Sequence, residues 1–357
     1  MSPQGRPKGE QASAGRAERH TLQERVVAAW YEPRPTLAAW LAWPSSLVFG
    51  FVSRFRRAMY ARGFARVERM PVPVVVVGNI TAGGSGKTPL VIALAQALRE
   101  RGFHPGVVSR GHGGHGGVHA VTPDSDPAIV GDEPPIVAAA GFPMYVGRRR
   151  AAAVRALLAA HPACDVVICD DGLQHYALAR DVEIAVVDAA RGLGNGLLMP
   201  AGPLREPEER LDEVDAVVRL VSGTVPHEPQ SDGRSTFMTH EPLPWRNVRD
   251  PQRSDDGTRF AGEGVHAVAG IGHPQRFFAM LRAQGLAPVE HSFPDHHAFA
   301  KRDLEFPGAR AILMTQKDAV KCASFADERF WYLPIRAVVD PSLVAFVEQK
   351  IRGSQAA

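Results

Sequence analysis

The chain has 357 residues, of which 45% are hydrophobic and 22% are charged, and its formal net charge is +3. This length and composition allow a substantial core and favour two lobes. The net charge is too small to indicate a nucleic-acid partner. The three cysteines, Cys164, Cys169 and Cys322, form neither a disulfide framework nor a zinc pattern, which suits a reducing cytoplasm.

The N-terminal part contains two kinds of sequence. Residues 1–25 are rich in Gly, Ala, Gln, Arg and Glu, lack apolar periodicity and are predicted to be disordered. Residues 26–70 are predicted to be a membrane-associating helical segment, because Leu37–Val52 is apolar, contains two tryptophans and precedes a cluster of arginines. The apolar run is shorter than the roughly 20 residues of a spanning helix, and Pro44 could break or only kink it. A core helix with a solvated basic face is the alternative.

A phosphate-binding loop follows the first predicted strand. The β-branched run Val74–Val77 leads into a glycine-rich loop and then into a helical pattern that starts near Lys87. Loop amides and a helix N-terminus attract an anion, while Lys87 reaches the β- and γ-phosphates and Thr88 can hold Mg²⁺. Thr81 stands where the strict pattern has glycine. The predicted nucleotide-binding residues are Thr81, Ala82, Gly83, Gly84, Ser85, Gly86, Lys87 and Thr88.

Strands and helices alternate after this loop, which predicts an α/β fold with a doubly wound parallel sheet like that of P-loop NTPases. Residues 71–222 are assigned to this P-loop core. Residues 223–264 are richer in Pro, Ser, Asp, Gly and Arg and are predicted to be a linker. A second, smaller α/β lobe is predicted over residues 265–357.

Acidic residues follow two of the predicted core segments. Asp170 and Asp171 end a buried strand, where a carboxylate can hold Mg²⁺ opposite the phosphate loop, although an Asp-Gly turn is common at strand ends. Asp132 precedes a helix and is as easily a helix cap as a functional group. His175, close behind Asp171, is as easily structural as ligand-binding.

Further candidates lie in the loop Pro200–Pro207 and in the second lobe. The loop carries one arginine and one carboxylate, which could clamp a substrate or only shape the fold. Asp295 and His296 are adjacent, so they can orient one another and tune a proton acceptor, whereas a metal site formed with His297 is disfavoured. Lys317 could face phosphates across a cleft or be solvated.

Taken together, these segments resemble the tetraacyldisaccharide 4′-kinase family. The resemblance runs in order over most of residues 35 to 325. The matching segments are Gly78–Pro89, Ser109–Gly111, Gly131–Pro134, Asp170–His175, Pro200–Pro207, Ala269–Gly272, Asp295–His297 and Thr315–Cys322. Thr81 is also typical of this family. The departures are His112, where the family has an aromatic residue, and Gln316, where it has a glutamate.

The resemblance implies transfer of the ATP γ-phosphate, with Mg²⁺, to the 4′-hydroxyl of a tetraacyldisaccharide 1-phosphate. It implies a peripheral enzyme on the cytoplasmic face of the inner membrane, with a glycolipid substrate and an anionic membrane surface as partners. Asp132 would be the catalytic base, with His296 and Asp295 supporting it and Lys87 on the phosphates. The metal ligands would be Thr88, Asp170, Asp171 and Glu206.

Two alternatives remain open on the sequence. A membrane-associated P-loop ATPase that acts as a conformational switch would use the same phosphate loop and strand-end acid. It would not need Asp132 with His296 on a second lobe. A soluble small-molecule kinase is a third possibility, which the tryptophan- and arginine-containing segment disfavours. The oligomeric state does not follow from the sequence.

Overall fold

The computed structural model describes residues 22–32, 34–114, 117–223 and 234–355. Of the stretch 1–25 predicted to be disordered, residues 1–21 lie outside the described ranges, and residues 22–25 belong to the first helix. The described chain forms one nine-stranded and one six-stranded sheet, each with helices packed against it.

Helices and strands alternate along most of the chain. The helices are α1 (Leu22–Trp30), α2 (Leu37–Ala61), α3 (Lys87–Glu100), α4 (Pro127–Val130), α5 (Pro134–Ala139), α6 (Arg150–Ala160), α7 (Pro274–Ala283), α8 (Gln316–Cys322) and α9 (Pro341–Gln355). The strands are β1 (Val74–Gly78), β2 (Pro105–Ser109), β3 (Val118–Val121), β4 (Met144–Gly147), β5 (Val166–Asp170), β6 (Val182–Asp188), β7 (Ala216–Leu220), β8 (Ser235–Pro242), β9 (Trp245–Asn247), β10 (Ser254–Asp255), β11 (Val265–Ala269), β12 (Val289–Ser292), β13 (Ala311–Thr315), β14 (Phe330–Leu333) and β15 (Ile335–Val339).

The nine-stranded sheet has the order β15-β8-β7-β6-β1-β5-β2-β4-β3 and is parallel except at its two edge strands, β15 and β3. Strand β1 lies between β5 and β6, so the ends of these three strands meet at one edge. The valine run of β1 is buried on both faces because helices cover both sides of the sheet. The predicted α/β fold with a parallel sheet is confirmed, and ligands of such sheets bind at the carboxyl ends of the strands.

Two apolar layers hold the helices on this sheet. On one face, Leu94 and Leu98 of α3 and Val347 of α9 are fully buried in one cluster. On the other face, Val154 and Leu157 of α6 pack with residues of β5 and β6. The repeat of apolar residues every three to four positions, which is typical of amphipathic helices, explains both contacts. All three cysteines are buried and unpaired in the described chain.

The structure differs from the predicted domain boundaries at two places. The segment 223–264 contains β8, which pairs with β7 in the first sheet, and β9 and β10, which belong to the second sheet. After β14 the chain returns to the first lobe, where β15 pairs with β8 and α9 joins the core of α3. Leu343, Val347 and Ile351 form the buried stripe of α9, so burial of that stripe explains the return. The second lobe therefore spans residues 245–333.

The N-terminal segment contains two helices, α1 and α2. Thr36 caps α2 by accepting a hydrogen bond from the Ala39 backbone N–H at 3.3 Å, and Pro44 lies inside the helix without ending it. Ser46 and Gly50 form the buried side, and the Ala201 backbone N–H donates to Ser46 Oγ at 3.0 Å. None of the described helices is long and apolar enough to cross a membrane.

Candidate active site

The phosphate loop joins the buried end of β1 to the first turn of α3. Gly83 and Gly86 have φ angles of 96° and 84°, in the left-handed region where glycine is favoured. Asn79 braces the loop from inside, since its Nδ2 donates to the Gly83 carbonyl at 3.3 Å and its Oδ1 accepts from Lys87 Nζ at 3.1 Å. The buried Ser85 Oγ has no hydrogen-bond partner within the described ranges. A polar atom left unpaired in a loop of this shape fits a phosphate oxygen.

Asp170 is the strand-end acid that faces this loop. Thr88 Oγ1 donates to Asp170 Oδ2 at 3.2 Å, whereas the buried Asp170 Oδ1 has no partner in the described chain. Burial, together with the negative charge of Glu133, raises the pKa of Asp170. A buried carboxylate beside a hydroxyl fits Mg²⁺, which takes one or two carboxylates and completes its shell with water and phosphate oxygens. No group of three or more His, Cys, Asp or Glu side chains that could hold a metal ion occurs among the described residues.

Asp171 has different surroundings from its neighbour Asp170. Arg205 binds its carboxylate in a bidentate manner, with Nη2 to Oδ1 at 2.9 Å and Nη1 to Oδ2 at 3.2 Å. Lys87 Nζ lies 3.6 Å from Oδ1. Burial opposes ionisation, but the charges of Lys87 and Arg205 outweigh it and hold the pKa of Asp171 far below its usual range. Asp171 is therefore a permanent anion that positions Lys87 and Arg205 at the mouth of the loop.

Glu206, which the resemblance implies is near the metal, belongs to a separate buried network. Gln174 Nε2 donates to Glu206 Oε2 at 2.8 Å, and the Tyr176 hydroxyl donates to Oε1. Arg210 lies 4.0 Å from the same carboxylate. These neighbours occupy both oxygens of Glu206. Its described contacts are thus with this network rather than with the pair formed by Thr88 and Asp170.

The two lobes meet at Asp132, which lies before α5 in the first lobe. Asp132 Oδ2 is 3.0 Å from His296 Nδ1 of the second lobe. Lys317, at the start of α8, lies 3.7 Å from Asp132, 3.4 Å from Glu133 and 3.5 Å from Asp295. Its side chain is only 16% exposed. Burial disfavours the ammonium, but the charges of Glu133, Asp295 and Asp132 outweigh it and raise the pKa of Lys317.

Charge around Asp132 keeps it ionised. Burial alone would raise the pKa of Asp132, but the hydrogen bond with His296 and the charge of Lys317 outweigh burial and lower it. The same hydrogen bond raises the pKa of His296. The ring of His112, one of the two residues that depart from the family pattern, packs edge-on against His296 with centroids 5.0 Å apart. Asp132 can therefore accept a proton, and His296 orients it.

The pair formed by Asp132 and His296 gives the contact between the lobes a defined pH window. His296 contributes stability fully below its unfolded pKa of 6.5 and loses it as the pH rises through the raised folded pKa. Asp132 contributes above 3.8 and loses its contribution as the pH falls through the lowered folded pKa. We expect the stability difference between the native chain and His296→Gln to be largest between pH 3.8 and 6.5 and to shrink above that range. Urea unfolding at several pH values measures this; a difference that grows from neutral to alkaline pH contradicts it.

An open cleft is lined by residues of both the phosphate loop and the second lobe. Lys87, Thr88, Gln316 and Lys317 line its polar part. Its other part is apolar and is formed by both lobes. The apolar lining residues are Ile92, Ile136, Ile271, Phe277, Met280, Leu333 and Ile335. Apolar walls beside a phosphate loop fit a nucleoside base.

Several of these groups were missed or left open by sequence reasoning. Asn79 directly follows β1 and was not singled out from the sequence. Its polar side chain at the end of a buried strand could have indicated a site residue, because ligands of parallel sheets bind at the carboxyl ends of the strands. Glu133 was quoted without a role, and it lies beside Lys317. His175 lines a second, arginine-rich cavity. Burial, aided by the charges of Arg150 and Arg180, lowers the pKa of His175 to about 4.

A phosphate loop, together with a carboxylate that can accept a proton where the two lobes meet, is suited to moving a phosphoryl group onto a second substrate, which is the work of a P-loop kinase. Comparison with known proteins identifies which kinase family this is. The family model described as tetraacyldisaccharide-1-P 4′-kinase matches residues 38–352. The chain belongs to this family.

Relatives and one solved structure agree with that assignment. The chain is 52% identical over 304 residues to a tetraacyldisaccharide 4′-kinase of Azoarcus sp., with 84% of this chain and 88% of the relative covered. It is 49% identical to that of Chromobacterium violaceum, with 90% and 96% covered. A crystal structure of the apo form of LpxK from Aquifex aeolicus in complex with ATP matches with a TM-score of 0.75 and 26% identity, covering 88% of this chain and all of that one.

Membership in the family decides between the alternatives that the sequence left open. The protein is an ATP-dependent kinase of lipid A biosynthesis that acts on the 4′-hydroxyl of the tetraacyldisaccharide 1-phosphate, and ATP is its phosphoryl donor. The hypothesis of an ATPase switch is not supported.

Proposed function

We propose that the protein works as a peripheral enzyme on the cytoplasmic face of the inner membrane and binds the lipid headgroup beneath α2. One observation carries this proposal: a second cavity, rich in arginine, lies between α2 and the strand-end aspartate Asp171. Asp171 lines this cavity and lies 3.6 Å from Lys87, which lines the nucleotide cleft. The two cavities therefore adjoin where a phosphoryl group would pass between ATP and lipid.

The arginines of this cavity suit a phosphorylated sugar. They are Arg56, Arg110, Arg148, Arg150 and Arg205. Arg150 and Arg205 are already fixed, since Arg150 donates to the Gly147 and Asp171 carbonyls and Arg205 binds the Asp171 carboxylate. Arg110 and Arg148, by contrast, have no ion-pair partner within the described ranges. Arginines bind phosphate in a bidentate manner, and the acceptor lipid carries a phosphate at position 1.

The outward face of α2 suits the interface of a bilayer. Eight large apolar residues of α2 are more than half exposed. They include Leu37 at 76%, Trp40 at 57%, Leu41 at 76%, Leu47 at 54%, Val48 at 64%, Phe51 at 70%, Val52 at 56% and Phe55 at 58%. Tryptophan and aliphatic side chains followed by arginines are typical of helices that lie in the headgroup region of anionic membranes. Since α2 also forms one wall of the arginine cavity, docking would bring that cavity to the lipid surface.

The roles of the site residues follow from the charge that phosphoryl transfer must neutralise. Lys87 and the loop amides bind the ATP phosphates, and Thr88 with Asp170 would hold Mg²⁺, which supplies charge neutralisation between the phosphates. Asp171 and Asn79 keep Lys87 in place. Asp132 accepts the proton of the 4′-hydroxyl, and His296 with Lys317 orients it. Because Asp132 and His296 come from different lobes, the base is complete only when the lobes are together, which excludes water from the reacting phosphate.

Disruption of the exposed face of α2 should separate membrane docking from nucleotide binding. We expect the variant Leu47→Glu with Phe51→Glu to lose most of its binding to vesicles that contain anionic lipid, because two exposed apolar side chains that would enter the headgroup region become charged. ATP affinity should be unchanged. Vesicle sedimentation and nucleotide titration measure the two effects. Val289→Glu, a residue of the second lobe that is 55% exposed, is the control and should bind vesicles like the native chain. Equal vesicle binding by all variants would contradict the proposed docking.

Substitution of Arg148, which has no ion-pair partner among the residues that the structure describes, tests the headgroup cavity. We expect Arg148→Ala to raise the KM for the lipid about tenfold, the typical effect of losing one charge-assisted phosphate contact, with the KM for ATP unchanged. An acceptor that lacks the 1-phosphate should show no difference between native chain and variant. If Arg148→Ala has the same effect on both acceptors, the cavity does not bind this phosphate.

A further inference from the structure

The end of α1 lies directly on the phosphate loop. The Tyr31 hydroxyl donates to the Ala82 carbonyl at 3.4 Å. Trp30 Nε1 donates to the Pro200 carbonyl at 2.9 Å, and the Asn195 backbone N–H donates to the Trp30 carbonyl at 2.8 Å. The N-terminal segment is thus attached to the loop at Ala82 and to the chain that follows β6.

Arg191 connects this attachment to the second lobe. Its guanidinium carbon lies 3.6 Å from the centroid of the Tyr31 ring, within the range of a cation–π contact. Its Nη1 donates to the carbonyl of Gly272, which follows β11 in the second lobe, at 3.3 Å. The turn after β6 holds Arg191 in place, since its backbone N–H donates to the Asp188 carbonyl at 3.2 Å. One guanidinium therefore contacts the N-terminal segment and the second lobe at the same time.

The second lobe touches the phosphate loop at the same point. A Cβ atom on Gly272 would lie 3.0 Å from the Gly84 backbone nitrogen, which is tighter than most real Cβ contacts. A Cβ atom on Gly83 would lie 3.7 Å from Arg191 Nη1. The backbone of the phosphate loop and that of the second lobe are thus packed together with the Arg191 guanidinium, without an intervening side chain. A small shift of Tyr31 or Arg191 would move the loop relative to the second lobe.

We propose that Tyr31 and Arg191 are positioning residues, which hold the second lobe against the phosphate loop in the arrangement that phosphoryl transfer needs. The catalytic pair Asp132 and His296 spans the two lobes, so its geometry depends on how the lobes meet. The N-terminal segment then has two separate roles, because α2 meets the lipid surface and the end of α1 stabilises the closed site. This inference rests on the kinase activity and on the assignment of Asp132 and His296. It does not depend on membrane docking.

Kinetics in detergent micelles test the proposal, because micelles present the lipid without a bilayer on which to dock. We expect Tyr31→Ala and Arg191→Gln each to lower kcat on the order of tenfold, while the KM for the lipid changes less than about twofold. The double variant should be no slower than either single one, since both changes break the same contact. Tyr31→Phe keeps the ring under Arg191 and should retain kcat within about twofold. Thermal unfolding of each variant confirms that the chain is folded.

Three outcomes would overturn the proposal. If both single variants keep the native kcat, the end of α1 only attaches the N-terminal segment to the rest of the chain. That result would not bear on the proposed membrane docking by α2. Losses that multiply in the double variant would mean that Tyr31 and Arg191 act independently. A Tyr31→Phe variant as slow as Tyr31→Ala would assign the effect to the hydrogen bond with Ala82 and not to the contact with Arg191. If Tyr31→Ala does not fold, Tyr31→Leu takes its place in all three comparisons, because it removes the aromatic ring and keeps an apolar side chain.

Discussion

Asp132→Asn is expected to lower kcat by about 10²- to 10⁴-fold, the usual contribution of a positioned proton acceptor, while the KM for ATP stays nearly unchanged. The substitution keeps the shape of the side chain but removes its capacity to accept the proton of the acceptor hydroxyl. Asp132 is 7% exposed and lies 3.0 Å from His296, so an asparagine can still occupy the site and pair with the imidazole. Steady-state kinetics with ATP and the lipid varied in turn measures both parameters.

A neighbouring carboxylate offers a matched control for this experiment. Glu133 is adjacent in sequence and also lies close to Lys317, at 3.4 Å, so Glu133→Gln removes the same charge from the same lysine. We expect a much smaller loss of kcat for Glu133→Gln, because Glu133 does not contact His296. Equal losses of kcat in the two variants would mean that both carboxylates act through their charge on Lys317 and that Asp132 is not the base. Parallel losses of kcat and ATP affinity in Asp132→Asn would also contradict the assignment.

Lys87→Met is expected to lower kcat by about 10²- to 10³-fold, the typical effect of removing one preorganised donor from a developing charge, and to raise the KM for ATP. Its Nζ is held by Asn79 at 3.1 Å and lies 3.6 Å from Asp171, so it is aimed at the loop before ATP binds. The fold should survive the change because Asp171 keeps its bidentate contact with Arg205. Kinetics together with thermal unfolding checks both expectations.

Two outcomes would contradict this account of Lys87. A Lys87→Met variant that melts at the native temperature and keeps native kcat would show that the phosphates lie elsewhere. A substantial loss of stability would show instead that Lys87 is needed to neutralise Asp171. Arg205→Met is the matched control, since it removes the other cation from Asp171 and leaves Lys87 aimed at the phosphates. It should lower kcat less than Lys87→Met does.

The phosphate loop could be predicted from sequence because its signal is local. A buried valine strand, a glycine-rich turn and Lys87 at a helix start are adjacent in the chain, and strand, loop and helix follow in that order. The alternation of strands and helices likewise predicts a parallel sheet, since periodicity is a property of short segments. The acid at the end of β5 was predicted for the same reason.

Features that depend on distant parts of the chain could not be predicted from the residues alone. The pairing of β15 with β8 joins segments separated by almost a hundred residues, and no local pattern encodes it. Asp132 and His296 were paired only through the resemblance to the family, since they are 164 positions apart. The difference between Asp170 and Asp171 depends on Arg205, which approaches one carboxylate from another loop. Lys317 was left open because a lysine at a helix start is usually solvated.

One measurement tests the central claim most directly. The protein is incubated with Mg²⁺-ATP and the tetraacyldisaccharide 1-phosphate in mixed micelles, and the lipid is analysed by mass spectrometry and phosphorus NMR alongside ATP consumption. We predict one phosphoryl group added at the 4′-oxygen for each ATP consumed, and neither product in Asp132→Asn on the same timescale. ATP consumption without phosphorylated lipid, or a phosphoryl group at another oxygen, would contradict the proposed arrangement of the site.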